Sequence, residues 1–203
     1  MELNELLPHI ITDNELHARW LNSLSLMENT GARKISAGED LRTLTLIILK
    51  HAAEEHRHAY FLKKQIEKTG IACPTYADEY LLAPISSKHY LHQLDISVSR
   101  YLKDALDLNG KELRFTAYLL VTYAIELRAD ELYPQYQTAL ENAGSKINVK
   151  SIILEEEGHL EEMINQLEEF LPNWKHHAQR AVELESNLFA NWVTALATNL
   201  VLQ

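Results

Sequence analysis

Apolar residues recur at steps of three and four along nearly the whole chain, and no stretch alternates apolar and polar residues for the length of a strand. The pattern predicts an all-α protein. A first long helix is expected from the Asp13 cap past Leu24 to about Ile35, with Gly31 inside it either softening the helix or allowing close packing. Residues 36–40 read as a short connection. Asp40 then caps a second helix that runs to about Thr69 and stops at Gly70. Residues 70–86 hold Pro74 and Pro84 and read as an irregular crossing. Ser86 or Ser87 caps a further helix to about Leu108, and Asn109-Gly110 marks a turn. Two more helices follow, Lys111 to Asn142 with a disturbance at Pro134, and Asn148 to Phe170. A last one follows Pro172. The order is hairpin, long crossover, hairpin, which is the layout of four-helix bundles with one long crossover. The expected division is one domain over residues 1–203, with the bundle at about 13–170 and the final helix at about 172–201.

Four carboxylates break this apolar pattern. The second helix carries the stripe Leu41, Leu44, Ile48, Ala52, Glu55, Ala59, Leu62 and Ile66, with His58 on the same face three residues after the glutamate. The helix ending at Phe170 repeats this with Val149, Ile152, Glu156, His159, Met163 and Leu167. Glu28 continues Leu21 and Leu24 and precedes Ala32 and Ile35. Glu126 continues Leu119 and Tyr123 and precedes Ala129 and Tyr133. Buried, unpaired carboxylates are costly, and divalent cations would compensate them. Four carboxylates and two imidazoles suit iron or manganese. The candidate metal ligands are therefore Glu28, Glu55, His58, Glu126, Glu156 and His159.

Glu-x-x-His alone says little. With 22 Glu and 10 His in 203 positions, about one match arises by chance. Placement on matching stripes carries the weight. Glu28 is the member that geometry questions. With the connection near residue 38, Glu28 lies ten residues before it and Glu55 seventeen after, a height difference of ~10 Å at 1.5 Å per residue. Side chains lean toward the helix N-terminus and so approach each other. Glu15 and Glu131 are the fallbacks on their helices. Glu54 and Glu155 read either as solvated residues or as outer carboxylates that accept from a ligand histidine of the opposite hairpin. His51 and His56 read as ordinary helix residues, Tyr123 as packing or as a partner of a ligand, and Trp20, Trp174 and Trp192 as packing.

Composition narrows the class. A formal net charge of −10 disfavours nucleic acid, and no basic cluster suggests a membrane surface. One cysteine, Cys73, excludes an internal disulfide and a Cys-rich metal site. With no apolar run near 20 residues and no signal-like start, a cytoplasmic protein is expected.

The segment Leu154-Glu155-Glu156-Glu157-Gly158-His159-Leu160 resembles the fourth-helix motif of bacterioferritins and related ferritin-like proteins, rubrerythrins among them. Lys50 to Ala59, which contains Glu54-Glu55-His56-Arg57-His58, resembles their second-helix motif. Glu28 to Ile35 is similar to a stretch of uncharacterised bacterial ferritin-like proteins. The resemblance covers about residues 13–170. It implies a carboxylate-bridged di-iron centre, with Glu28 and Glu126 as the single-helix ligands. The sequence departs from the family in its shorter Glu28–Glu55 and Glu126–Glu156 spacings, its lack of a Cys-rich rubredoxin module and of a bridging-haem methionine, and its two additional helices, which speak against a storage cage.

The leading expectation is an O₂-dependent oxidase or oxygenase with two iron ions, manganese being the alternative metal. It would act on a small organic substrate, draw on an external electron donor and form a homodimer. The second expectation is ferroxidase or iron handling. The third is a helical scaffold with a structural or vestigial metal site.

Overall fold

The computed structural model describes residues 2–38 and 44–201. Among them are seven α-helices and no strand: α1 Leu3–Thr12, α2 Asn14–Gly38, α3 Leu46–Ile66, α4 Pro84–Leu106, α5 Gly110–Asn142, α6 Lys150–Phe170 and α7 Trp174–Val201. None of these helices is long and apolar enough to cross a membrane.

Asp13 caps α2 as expected, its Oδ1 accepting from the amides of Glu15 (2.8 Å) and Leu16 (3.0 Å). The helix before it was not anticipated. Its signal is present all the same: Leu3, Leu6, Leu7, Ile10 and Ile11 form one buried stripe. The expected Asp40 cap and the stripe member Leu41 lie outside the described residues. In place of that cap, Thr45 accepts from the Ile48 amide and opens α3 at Leu46, so Leu44 precedes the helix. Gly70, at φ 76°, ends the 3₁₀ turn that follows α3, in a backbone conformation that costs glycine little. α4 starts at Pro84, ahead of the serines expected to cap it. Ser87 is buried and donates to the Leu82 carbonyl (2.8 Å). Pro134 sits within α5 without ending it.

Four helices share one interior. α2 runs antiparallel to α3, since Ser25 donates to the Ala59 carbonyl while Gly31 faces Glu55 further along. α5 runs antiparallel to α6, with Phe115 against Phe170 at one end and Gln137 accepting from the Val149 amide at the other. α3 and α6 are also antiparallel, paired through Lys50–Glu162 and Arg57–Glu155. α3 and α5 consequently run parallel, which requires the long crossover that contains α4.

The apolar core has two main parts. One gathers Leu6, Leu24, Leu62, Leu132, Tyr136 and Ile152, and the other Leu94, Leu102, Leu113, Leu120, Met163 and Leu167. Along α5 and α6, Glu126 and Glu156 fall between them. α4 and α7 flank this interior. Trp192 of α7 stacks on Trp20 of α2 with centroids 5.4 Å apart, worth ~1 kcal/mol beyond the burial of area. Trp192 Nε1 also donates to Ser87 Oγ (2.9 Å). Arg128 of α5 grips the buried Glu185 of α7 through two bonds, Nε to Oε1 (2.9 Å) and Nη2 to Oε2 (2.8 Å), and Tyr90 of α4 donates to the same carboxylate. Three helices therefore meet at one charge.

Removing one partner of a buried pair leaves the other charge unpaired in the interior. Arg128→Met is expected to lower unfolding free energy by ~3–5 kcal/mol in urea denaturation. Adding Glu185→Leu to that variant should restore much of the loss.

Candidate metal centre

The glutamate and histidine of each Glu-x-x-His pair project from one face of α3 or α6, and the two faces meet at the centre of the four helices. Glu55, His58, Glu126, Glu156 and His159 are buried, with His58 at 1% and His159 at 0% exposure. Glu28 is partly buried. Ligand atoms of Glu28, Glu55 and His58 lie within 4.8 Å of one another, as do those of Glu55, Glu156 and His159. Glu55 belongs to both groups. Glu126 completes the set, its Oε2 standing 3.5 Å from His159 Nδ1. All six residues expected from the sequence are thus brought together.

The height mismatch at Glu28 disappears because α2 continues to Gly38 and α3 begins only at Leu46. Glu28 stands ten residues before the last described residue of α2 and Glu55 nine after the first of α3. Gly31 eases the approach: a Cβ there would stand 3.3 Å from Glu55 Oε2, a tight contact. In the second hairpin, Val149 folds back to bond Gln137, so α6 starts level with the body of α5 and Glu126 reaches His159. The fallbacks lie elsewhere. Glu15 pairs with Arg19 (2.6 Å) and Glu131 with Arg128.

The histidines are held from outside. His159 Nε2 donates to Glu54 Oε2 (2.7 Å), and His58 Nε2 donates to Glu155 Oε2 (2.7 Å). Each helix therefore supplies the outer carboxylate for the other helix's histidine. Arg57 bridges both, bonding Glu155 and standing 3.5 Å from Glu54. This fixes which ring nitrogen faces inward. His159 Nδ1 lies 3.0 Å from Glu156 Oε2, and His58 Nδ1 lies 3.1 Å from Glu156 Oε1. The latter nitrogen is buried and lacks a hydrogen bond of good geometry.

Burial, the Glu28 charge and hydrogen bond, and then Glu126 and Glu156 push the Glu55 carboxyl well above the usual range. Burial also raises Glu126; His159 offsets this in part and Glu156 adds to it. Burial opposes ionisation of Glu156 as well, but the hydrogen bond from His159 and the close His58 imidazole outweigh it and hold this carboxyl far below the usual range. For His159 burial lowers the value, yet Glu126 and Glu156 together push it up to about 11. Without metal, protons on these groups compensate the carboxylates. The donor set fits two divalent cations: four carboxylates balance four positive charges, and two neutral imidazoles present Nδ1 lone pairs inward.

Two residues have more to do than the sequence reading gave them. His51 is buried, bonds Glu162 Oε2 through Nε2 (2.9 Å) and lays its ring 4.8 Å from that of His159. Its spacing to Glu55 and His58, four and seven residues, is the signal that would have found it. Tyr133 donates to Glu28 Oε1. Tyr123 packs edge-on against Trp174, the first of its two readings, and His56 is an exposed residue of α3.

A cavity of about 740 Å³ opens beside the carboxylates, between α2, α4 and α5. Glu28, Glu55 and Glu126 stand on its wall, and neither His58 nor His159 does.

No family model, no curated protein and no solved structure matches the chain.

The proton balance sets a pH dependence for the metal-free chain. His159 is raised from 6.5 to about 11, so its contribution is complete below pH 6.5 and is lost as pH rises through 11. Glu55 and Glu126 are also raised, so the folded state keeps protons that the unfolded chain releases, and stability again falls as pH rises above about 4.5. In chelator, chemical denaturation should show stability falling between pH 6 and pH 10. Glu55→Gln should flatten that slope.

Proposed function

We propose that α2, α3, α5 and α6 form a ferritin-like four-helix bundle with one long crossover, and that it holds two metal ions, iron in the first place and manganese as the alternative. Glu28, Glu55, His58, Glu126, Glu156 and His159 would hold them. The observation that carries this reading is the reciprocal pairing of His159 with Glu54 and of His58 with Glu155. It turns each Nδ1 toward shared carboxylates and leaves each Nε2 fixed by an outer acceptor, the arrangement that orients a metal-binding imidazole. The resemblance of both helix motifs to ferritin-like proteins agrees with it.

The reaction proposed is O₂-dependent oxidation or oxygenation of an organic substrate. Ferrous ions, when bound there, would supply electrons for the reduction of O₂. The chain's own part is to bind and orient. On ligating, His58 and His159 would give up any Nδ1 proton, while each ring keeps its Nε2 proton and donates it to Glu155 or Glu54. Tyr133 holds Glu28 by its hydroxyl bond. The cavity beside the site supports an organic substrate over iron as the substrate. An external donor would supply electrons for repeated turnover, and a homodimer is the assembly that goes with this reading.

Anaerobic titration with Fe(II) is expected to give two ions per chain, with loss of at least one in Glu55→Ala and in His159→Ala. Mixing with O₂ should oxidise the bound iron and give a transient visible absorbance. No binding above background, or full binding in Glu55→Ala, would remove the metal reading.

The outer carboxylates give a separate test. Glu54→Gln and Glu155→Gln are each expected to weaken metal affinity by about 10–100-fold. Glu15→Gln, on the surface, should leave it unchanged.

A further inference from the structure

The seam between α3 and α6 carries three histidine–carboxylate rungs. His58 meets Glu155, Glu54 meets His159, and His51 meets Glu162. Successive rungs are four and then three residues apart on both helices, so they follow one face of each. Every carboxylate in them also meets a cation on its outer side. Arg57 stands by Glu155 and Glu54, and Lys50 Nζ lies 2.7 Å from Glu162 Oε1. Two of the rungs hold histidines of the candidate centre, and the third is built from the same parts.

The inner side of His51 is left open. The residue is buried, and its Nε2 donates to Glu162 Oε2 (2.9 Å), so a neutral ring has its lone pair on Nδ1. That Nδ1 is buried and has no hydrogen-bond partner among the described residues, a state it shares with His58 Nδ1. Such an acceptor is costly to leave unmatched. Ring spacing indicates what could match it. The His51 and His159 rings have centroids 4.8 Å apart and are tilted by 50°, so they do not stack face to face. Two imidazoles bound at right angles to one ion, each nitrogen about 2.1 Å from it, hold their centroids about 4.6 Å apart. His51 stands outside both three-residue groups of close ligand atoms, as Glu126 does, and like Glu126 it adjoins them through His159.

We propose that His51 is a third imidazole ligand, binding through Nδ1 the ion on the His159 side of the centre. This rests on the two-metal reading and makes its two positions unequal, with two imidazoles on the His159 side and one on the His58 side. A neutral ligand leaves the balance of four carboxylates against two divalent cations intact. Imidazole suits iron better than manganese, so the His159 side is the more selective for iron.

Cobalt(II) is the probe, and proton magnetic resonance of the full chain loaded with two cobalt ions is the readout. Unpaired electrons move the ring protons of a bound imidazole far from the rest of the spectrum. Each bound ring that keeps its Nε2 proton gives one shifted signal that vanishes in D₂O, and three such signals are expected. His51→Gln should leave two. In calorimetry it should weaken one of the two ions by at least the about 10–100-fold that loss of an outer partner costs, and leave the other unchanged. Helical circular dichroism checks the fold of that variant. Glu162→Ala, at the partly exposed end of the rung, is the second variant. It bares the His51 Nε2 proton to water, so one signal of the three should broaden and the other two should not. Two signals in the unmodified chain, one lost in His58→Gln and the other in His159→Gln, overturn the His51 assignment and leave the two-metal reading standing. Three signals that survive both His51→Gln and Glu162→Ala unaltered do the same. Absence of cobalt binding overturns both readings together.

Discussion

Four carboxylates brought into one interior repel one another and lose their hydration, and the fold is organised around compensating that cost. Two imidazoles reach the cluster from α3 and α6. They would swing or turn over if left alone, so Glu54 and Glu155 hold their outer nitrogens, and Arg57 balances those two carboxylates at the surface. Charge thus alternates outward in layers. The apolar core accommodates this polar level by dividing along the bundle, which leaves Glu126 and Glu156 between its two main parts.

The crossover determines what lies beside that level. α3 and α5 run parallel, so the chain must travel the length of the molecule between them, and α4 is part of that return. α4 lies against α5 and α7, and the Tyr90–Glu185–Arg128 contact joins all three. The histidine-bearing side of the centre is closed by direct ion pairs between α3 and α6. On the other side, between α2, α4 and α5, space remains for the cavity.

The sequence exposed the contradiction at the heart of the site, because a glutamate on an apolar stripe is visible in one dimension. Glu55 and Glu156 could be read in that way, and so could the Asp13 cap of α2. Glu28 was harder, since its level depends on where the α2–α3 connection lies, and that in turn on how far α2 persists past Ile35. The short stripe of α1 was readable but unclaimed. His51 escaped because it shares a face with both Ile48 and Glu55, and a histidine there looks ordinary until its outer partner Glu162 is known. The cavity left no trace in the sequence, since its lining comes mainly from α2, α4 and α5, with residues of α3, α6 and α7, and these are far apart in the chain.

Gly31 carries a further consequence. A glycine inside a helix sacrifices stability relative to alanine, and here its missing side chain lies beside one carboxylate oxygen of Glu55. The space belongs to the one residue shared by both ligand groups. Glu55 therefore sits closer to the α2 backbone than a larger residue at position 31 would comfortably allow. Copying this carboxylate and histidine cluster into other helices would mean copying an absence as well as the side chains.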